Sequence, residues 1–333
     1  MEELYFVTGA YGHLGNVIVN KLLSKGYKVR AFAVPEDKGK NPFKGEVDTV
    51  YGNICNPEDV EKFLDPDYNG KRYVIHAAGI VSISSKYSQN VYDVNVGGTK
   101  NVLEACKKYN VDKLVYVSSV HAIPIVKGGV TKEVKKFNPE EVEGLYARTK
   151  AEATQAVMDA AEEGLNACVV HPSGIIGPYD YGRGHLTQLI IDFCKGRLTS
   201  VVKGGYDFVD VRDIADGVIE ALESGKKGET YILSNRYYSI KELMDILSKA
   251  TGKKAVRHVL PMWFAKLTAP FAELYYKILR QPPLYTAYSL YTLSEQSRFS
   301  HEKATKELGY TPHDINKTAA DTYCWLKKVG RVR

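Results

Sequence analysis

Thr8-Gly9-Ala10-Tyr11-Gly12-His13-Leu14-Gly15 follows the apolar run Leu4-Tyr5-Phe6-Val7. It leads into Asn16-Val17-Ile18-Val19-Asn20-Lys21-Leu22-Leu23, whose apolar positions recur with helical spacing. A strand, a glycine turn and a helix are expected at the start of the chain. Glycine lets the backbone turn sharply and approach a neighbour closely, while a helix start presents free N–H groups and the positive end of its dipole. The combination suits an anion, phosphate above all. Three glycines in one loop also fit a turn that binds nothing, so the rest of the chain has to decide.

The alternation continues downstream. Strands are expected at Lys28–Val34, Val47–Tyr51, Tyr73–His76, Leu114–Val117 and Ala167–His171. Helices are expected from Pro57 to about Leu64, with Asn56 as N-cap, from Tyr92 to Tyr109, and from about Glu141 to Glu163. Short apolar strands alternating with helices give an α/β fold, a doubly wound parallel sheet buried on both faces. Such sheets bind ligands beyond the carboxyl ends of their strands. Those ends read Thr8-Gly9, Ala77-Ala78-Gly79, Ser118-Ser119 and Pro172-Ser173-Gly174, all small or polar. One crevice should gather them.

The totals exclude several classes. A net charge of +6 comes without a basic stripe interleaved with aromatics, so no nucleic-acid partner is expected. Five widely spaced cysteines, none in Cys-x-x-Cys, fit a reduced compartment and offer no metal-ligand cluster. The longest greasy stretch, Leu260–Leu279, is broken by Lys266, Pro270, Glu273 and Lys277, so no membrane span is expected. With a first strand starting almost at Met1, a cytoplasmic protein is expected.

Past Gly177-Pro178 the pattern loosens, with helices expected at about 186–195, 213–224, 240–251, 262–280 and 301–308. Tyr275, Tyr276, Tyr285, Tyr288 and Tyr291 crowd the later part. They fit either the core of a small cap domain or an aromatic wall for a flat substrate. Docking of 262–291 on a membrane surface is a further alternative.

Chemistry concentrates at Tyr146-Ala147-Arg148-Thr149-Lys150. Residues four apart share a helix face, and a neighbouring cation favours phenolate, so Lys150 is expected to lower the Tyr146 pKa. Tyr146 then becomes a candidate general acid and base for a carbonyl or alcohol oxygen. Ser119, at a strand's carboxyl end, can hold that oxygen. Asn95 can bond backbone or water near Lys150, or act as an ordinary polar cap.

The order of these motifs resembles the extended branch of the short-chain dehydrogenase/reductase superfamily over nearly the whole chain. The carrying motifs are Thr8-Gly-x-x-Gly-x-x-Gly15, His76-Ala77-Ala78, Asn95-Val96-Gly97-Gly98-Thr99, Val117-Ser118-Ser119, Tyr146-x-x-x-Lys150 and Gly177-Pro178. Phe208-Val209-Asp210-Val211-Arg212-Asp213 and the late Leu308-Gly309-Tyr310-x-Pro312 add to them. The resemblance implies a Rossmann-type domain with a seven-stranded parallel sheet (1–174 plus about 206–233). A smaller, mostly helical substrate domain would comprise about 175–205 and 234–333.

It further implies Tyr146 as acid/base, Lys150 on the nicotinamide ribose, Ser119 on the substrate oxygen and Asn95 in a proton relay. The cofactor is expected to touch Gly9, Tyr11, Gly12, His13, Leu14, Gly15, Val34, Lys38, Asn53, Ile54, Ala77, Ala78, Gly79, Val117, Tyr146, Lys150, Pro172 and Ser173. Asn53 stands where an adenine-binding Asp is common. The second strand ends in Ala33-Val34-Pro35 without a carboxylate for a ribose 2′-hydroxyl, which favours NADP slightly over NAD. Dehydratases carry an acid pair after the catalytic Ser or Thr, where this chain has Val120-His121-Ala122-Ile123. Galactose-epimerase-like members place an Asn where Gly174 stands. The frame is closer to dihydroflavonol reductases and 3β-hydroxysteroid dehydrogenases. Reduction of a ketone or aldehyde, or oxidation of a secondary alcohol, of a small flat apolar molecule is expected. A sugar-nucleotide epimerase and a non-catalytic dinucleotide sensor are the alternatives. Analogy also suggests a homodimer through the helices near 92–109 and 141–163.

Overall fold

In chain order the strands are β1 (Glu3–Thr8), β2 (Lys28–Ala33), β3 (Asp48–Tyr51), β4 (Lys71–His76), β5 (Lys113–Val117), β6 (Ala167–Pro172), β7 (Gly174–Ile176), β8 (Ser200–Val202), β9 (Gly205–Asp210), β10 (Thr230–Leu233), β11 (Arg236–Ser239) and β12 (His258–Leu260). This computed structural model describes residues 2–40, 42–43, 47–84, 86–182, 184–268 and 287–333. Seven strands form one parallel sheet in the order β10-β6-β5-β4-β1-β2-β3. The doubly wound parallel sheet expected from the alternation is present, with the seven strands and Rossmann-type order that the resemblance implies. The order reverses between β1 and β4, which opens a crevice at their carboxyl ends.

The helices used below are α1 (His13–Ser24), α2 (Pro57–Phe63), α3 (Gln89–Tyr92), α4 (Gly98–Lys108), α5 (Leu145–Glu162), α6 (His185–Cys194), α7 (Val211–Ser224) and α8 (Ile240–Thr251). Alternation along β1 explains the layering. Phe6 faces Phe32, Phe63 and Leu114 in the layer under α2, α4 and α5. Tyr5 and Val7 face Ile75, Val115 and Val218 in the layer under α1 and α7. A strand apolar on both faces has to be sandwiched.

A second core joins α6, α8 and the helix Ile315–Lys328 around Phe208 and Tyr238. That last helix went unread in the sequence, although Asp314 caps it through Asn316 N–H. Beside it, β9 pairs in parallel with β7 and antiparallel with β11. It therefore stands at the seam of the proposed domain division, hydrogen-bonded in the smaller sheet while α7 behind it packs on α1. The Asp210-Val211-Arg212-Asp213 stretch bolts this seam. Asp210 Oδ2 accepts from Arg212 Nη2 at 2.6 Å and from Thr318 Oγ1 at 2.7 Å, and Arg212 Nη1 donates to Asp321 at 2.7 Å.

Two boundaries differ from the sequence reading for local reasons. The expected 92–109 helix begins at Gln89 and carries a π turn at Asp93–Gly97. The expected 141–163 helix starts only at Leu145, because Pro139–Glu141 forms a separate 3₁₀ turn and Gly144, at φ 92°, breaks the path. Residues 262–268 are helical, as expected; the remainder of the 262–280 expectation, with Tyr275, Tyr276 and Tyr285, lies outside the described residues. No described helix is long and apolar enough to cross a membrane.

Candidate active site

The glycine loop packs on itself. Gly12 N–H donates to Gly9 O at 2.9 Å. A Cβ on Gly15 would stand 2.0 Å from that same oxygen, and one on Gly9 (φ +64°) would stand 2.7 Å from Ala78 N. Gly9 and Gly15 are thus needed for backbone-on-backbone contact. A Cβ on Gly12 would meet only Gly9 O, at 3.1 Å, so the space over Gly12 admits a ligand. The start of α1 has no side-chain cap and no acidic residue in its first turn. An uncapped N-terminus framed by glycines fits a pyrophosphate.

A buried hydrogen-bond chain fixes this loop against the next strand end. Ala78 N–H donates to Thr8 Oγ1 (3.1 Å), Thr8 lies 2.7 Å from His76 Nδ1, His76 Nε2 lies 3.0 Å from Thr99 Oγ1, and Thr99 donates to Asn95 O at 2.7 Å. One proton order satisfies all four bonds, with the Thr8 hydroxyl donating to Nδ1 and the ring donating from Nε2. That leaves His76 neutral, in keeping with burial pushing it down to about 3.

Asn95 sits in the π turn, a distortion that re-aims a side chain. Its Oδ1 accepts from Ile80 N–H at 2.8 Å, and its Nδ2 donates to Ile80 O and Thr149 Oγ1, both at 3.1 Å. Asn95 therefore clamps the 79–80 turn to α5. Gly79 keeps the space beside it open, since a Cβ there would lie 3.2 Å from Asn95 Oδ1 and 3.4 Å from Lys150 Nζ.

Tyr146, Lys150 and Ser119 meet at the carboxyl end of β5, all buried. Ser119 caps the 3₁₀ turn Val120–Ala122, its hydroxyl accepting from His121 N–H at 3.2 Å, and lies near enough to Tyr146 to lower its pKa. Lys150 Nζ donates to Val117 O at 2.8 Å and to the Tyr116 hydroxyl at 3.2 Å. Here the sequence expectation needs correction. Burial pushes Tyr146 up to about 12, with Ser119 acting in the lowering direction, and burial pushes Lys150 down to about 7. Spacing placed a cation near the phenol; it carried no information on the desolvation that both groups suffer.

Four other expected cofactor residues have partners within the protein. His13 Nε2 lies 2.9 Å from Pro178 O. Ser173 gives its hydroxyl to the buried Asp207 at 2.5 Å. Asn53 Oδ1 accepts from Cys55 N–H at 3.0 Å, a local turn that engages one of its lone pairs. Tyr11 reaches Tyr51, hydroxyl to hydroxyl at 3.0 Å, and the two line a shallow pocket with Lys40, Phe43 and Thr49 below the end of β2. Val34 and Lys38 are exposed beside that end, Ile54 is buried under Gly98, and Leu14 is buried behind the loop. Ala77, Val117 and Pro172 stand at the ends of β4, β5 and β6. Among the described residues no His, Cys, Asp and Glu group could hold a metal.

Sequence reasoning missed two histidines. His171 Nδ1 lies 3.0 Å from Ser119 O, which makes Nδ1 the donor. The ring stacks on Phe137 and its buried Nε2 has no partner. His121 stacks on Tyr206 with centroids 5.6 Å apart, meets Tyr146 edge to face at 5.9 Å and Tyr288 at 6.2 Å. Its Nε2 lies 2.9 Å from the Tyr206 hydroxyl and its Nδ1 3.5 Å from that of Tyr288. Tyr288 in turn covers Gly144, where a Cβ would stand 2.4 Å from its ring. Of the tyrosine crowd, Tyr288 forms part of this wall and Tyr291 stacks behind it at 6.5 Å.

These histidines set a pH dependence. Burial pushes His121 and His171 down to about 4, alongside His76. Each stays neutral when folded but gains a proton below about pH 6.5 when unfolded. The unfolded state then binds more protons, so stability falls as pH drops from about 6.5 toward 4. Asp207, raised to about 6 by burial, works in the opposite sense and offsets one of the three. From these four groups together a loss of roughly 2.7 kcal/mol per pH unit at its steepest is expected. Urea unfolding at neutral and mildly acidic pH measures it, and an unchanged midpoint would contradict it.

Comparison with known proteins finds one family model and full-length relatives. Residues 5–234 match the NAD dependent epimerase/dehydratase family. The chain is 30% identical over 330 residues to sterol demethylase protein B of Methylococcus capsulatus, covering 98% of this chain and 99% of that one. It is 29% identical over 338 residues to a putative dihydroflavonol 4-reductase of Synechocystis, covering 100% and 97%. The crystal structure of gox2253 superposes with a TM-score of 0.85 at 28% identity, covering 99% of both chains.

Proposed function

The chain belongs to the NAD dependent epimerase/dehydratase family, the extended short-chain dehydrogenases/reductases, and from that premise we propose that it interconverts a ketone and a secondary alcohol on a flat, apolar molecule. The observation that carries this reading is the ring wall at Tyr146. The three side chains beside it, His121, Tyr206 and Tyr288, are neutral rings, and burial holds His121 uncharged. Such a wall stacks on a flat skeleton and offers hydroxyl and imidazole hydrogen bonds to a polar substituent. Two relatives are named for sterol demethylation and for dihydroflavonol reduction, and sterols and dihydroflavonols have this shape.

When bound, the nicotinamide cofactor supplies or accepts the hydride at the substrate carbon. The residues manage the oxygen. In the reducing direction the Tyr146 hydroxyl gives it a proton, and Ser119 donates a hydrogen bond as negative charge develops there. Lys150, held by Val117 O, lies beside the ring of Tyr116 and close to the open space at Gly79, where a ribose would bind. Its charge favours the phenolate that Tyr146 becomes. Asn95 fixes the turn that shapes this space. NADP is our preferred cofactor over NAD, because the end of β2 lacks a carboxylate and adjoins the Tyr11, Lys40 and Tyr51 pocket. A homodimer through α4 and α5 is proposed with it.

A panel of flat ketones and secondary alcohols with NADP and NAD, followed by nicotinamide absorbance, tests the proposal. Redox-neutral turnover of a nucleotide sugar would overturn it in favour of an epimerase. One observation weighs against that alternative: an Asn in place of Gly174 would drive its Cβ to 2.8 Å from the Tyr206 ring, so the ring wall and a sugar-holding Asn exclude each other. His121→Phe keeps the ring and removes both nitrogens. It is expected to raise KM for a polar-substituted substrate about tenfold while sparing cofactor affinity. An unchanged KM would remove His121 from substrate binding.

A further inference from the structure

We propose that the segment 253–268 docks the enzyme on an anionic lipid surface. Residues 262–268 are helical and present two unlike sides. Ala265 is fully buried and, with Met262, packs on Val202 of β8 and Leu290. The other side is exposed and apolar: Trp263 at 68%, Leu267 at 63% and Phe264 at 39%, with Val259 at 43% just before it. Large apolar side chains so far out of a fold, and adjacent, mark an interaction surface rather than scattered exposure.

Charge identifies the partner. From Lys253 to Thr268 the chain carries Lys253, Lys254, Arg257, His258 and Lys266 and no acidic residue. All five are exposed, and among the described residues none of the four Lys and Arg is in an ion pair. A basic segment around a Trp-Phe-Leu face is the pattern that seats at the headgroup boundary of an anionic bilayer. A second copy of the chain fits poorly, since a two-fold contact through this patch would set the same cations against one another. The surface adjoins the site, because Leu290 lies on the helix Ala287–Ser294 that also carries Tyr288. The inference stands on exposure and charge and is independent of the substrate proposed above.

The test sediments the full chain with vesicles of phosphatidylcholine alone and of phosphatidylcholine mixed equally with phosphatidylglycerol. Binding is expected only to the anionic vesicles and should weaken with added salt, each basic residue near the surface being worth about fivefold. The double variant Trp263→Ser, Leu267→Ser should bind at least about tenfold less. It should keep the wild-type thermal midpoint, because both side chains are exposed. Equal recovery with and without the anionic lipid would overturn the proposal, as would undiminished binding by the double variant. Light scattering that showed a dimer dissociated by Trp263→Ser, without vesicle binding, would assign the patch to a second copy instead.

Discussion

Tyr146→Phe is expected to lower turnover by roughly 10²–10⁴-fold while leaving cofactor affinity within a factor of about two. The substitution removes one oxygen and no packing. The ring still meets His121 edge to face, and the backbone still begins α5 after Gly144. What disappears is the proton that must reach the substrate oxygen. Ser119 remains as a hydrogen-bond donor, but an aliphatic hydroxyl is a far weaker acid than a phenol. The pH profile sharpens the test. Burial holds Tyr146 at about 12 and Lys150 at about 7 without ligand. Cofactor and substrate bring polar groups into the same cluster, so activity should follow ionisations shifted from both values toward a charged pair. Stopped-flow turnover together with cofactor fluorescence titration separates chemistry from binding. Full activity in the variant would exclude Tyr146 as the acid, and loss of cofactor binding would make it a structural residue.

What was legible in the sequence is what is local. The glycine loop, the strand ends and the Tyr146–Lys150 spacing each depend on neighbours within a few residues, and the parallel sheet follows from their alternation. Asn56 as N-cap was readable for the same reason, and its side chain accepts from Glu58 N–H. The ring wall was not readable. His121, Tyr206 and Tyr288 come from a 3₁₀ turn, a seam strand and a late helix, and no spacing connects them. His171 is hidden in an apolar strand and acquires its role only because β6 lies beside β5 and brings Nδ1 to Ser119 O. Ionisation was misjudged where it depends on burial, as at Tyr146. The helix Ile315–Lys328 did leave a signal, Asp314 followed by Ile315, Ala319, Thr322 and Leu326 at helical spacing, with all four buried.

Gly15→Ala is expected to cost the protein its cofactor, raising Kd by roughly a hundredfold or more, and to lower its stability by about 3 kcal/mol. The added methyl would lie 2.0 Å from Gly9 O and 2.7 Å from Gly9 C, and both are backbone atoms that no rotamer can move. Relief therefore has to come from lifting α1 or pushing Gly9 away. Gly9 is held by Gly12 N–H on one side and pressed against Ala78 on the other. Ala78 is tied through Thr8 to His76, Thr99 and Asn95, so a shift at Gly9 reaches the turn beside Lys150. Two controls make the prediction specific. Gly26→Ala, at φ +83° with open space around it, should cost stability alone and leave cofactor affinity intact. Gly12→Ala meets only Gly9 O at 3.1 Å, so it should fold nearly as the parent yet bind the cofactor poorly, because the methyl occupies the space a phosphate needs. Thermal unfolding and cofactor titration on the three variants separate these outcomes. If Gly12→Ala bound the dinucleotide normally, the loop would not be the pyrophosphate cradle, and the affinity lost in Gly15→Ala would reduce to misfolding.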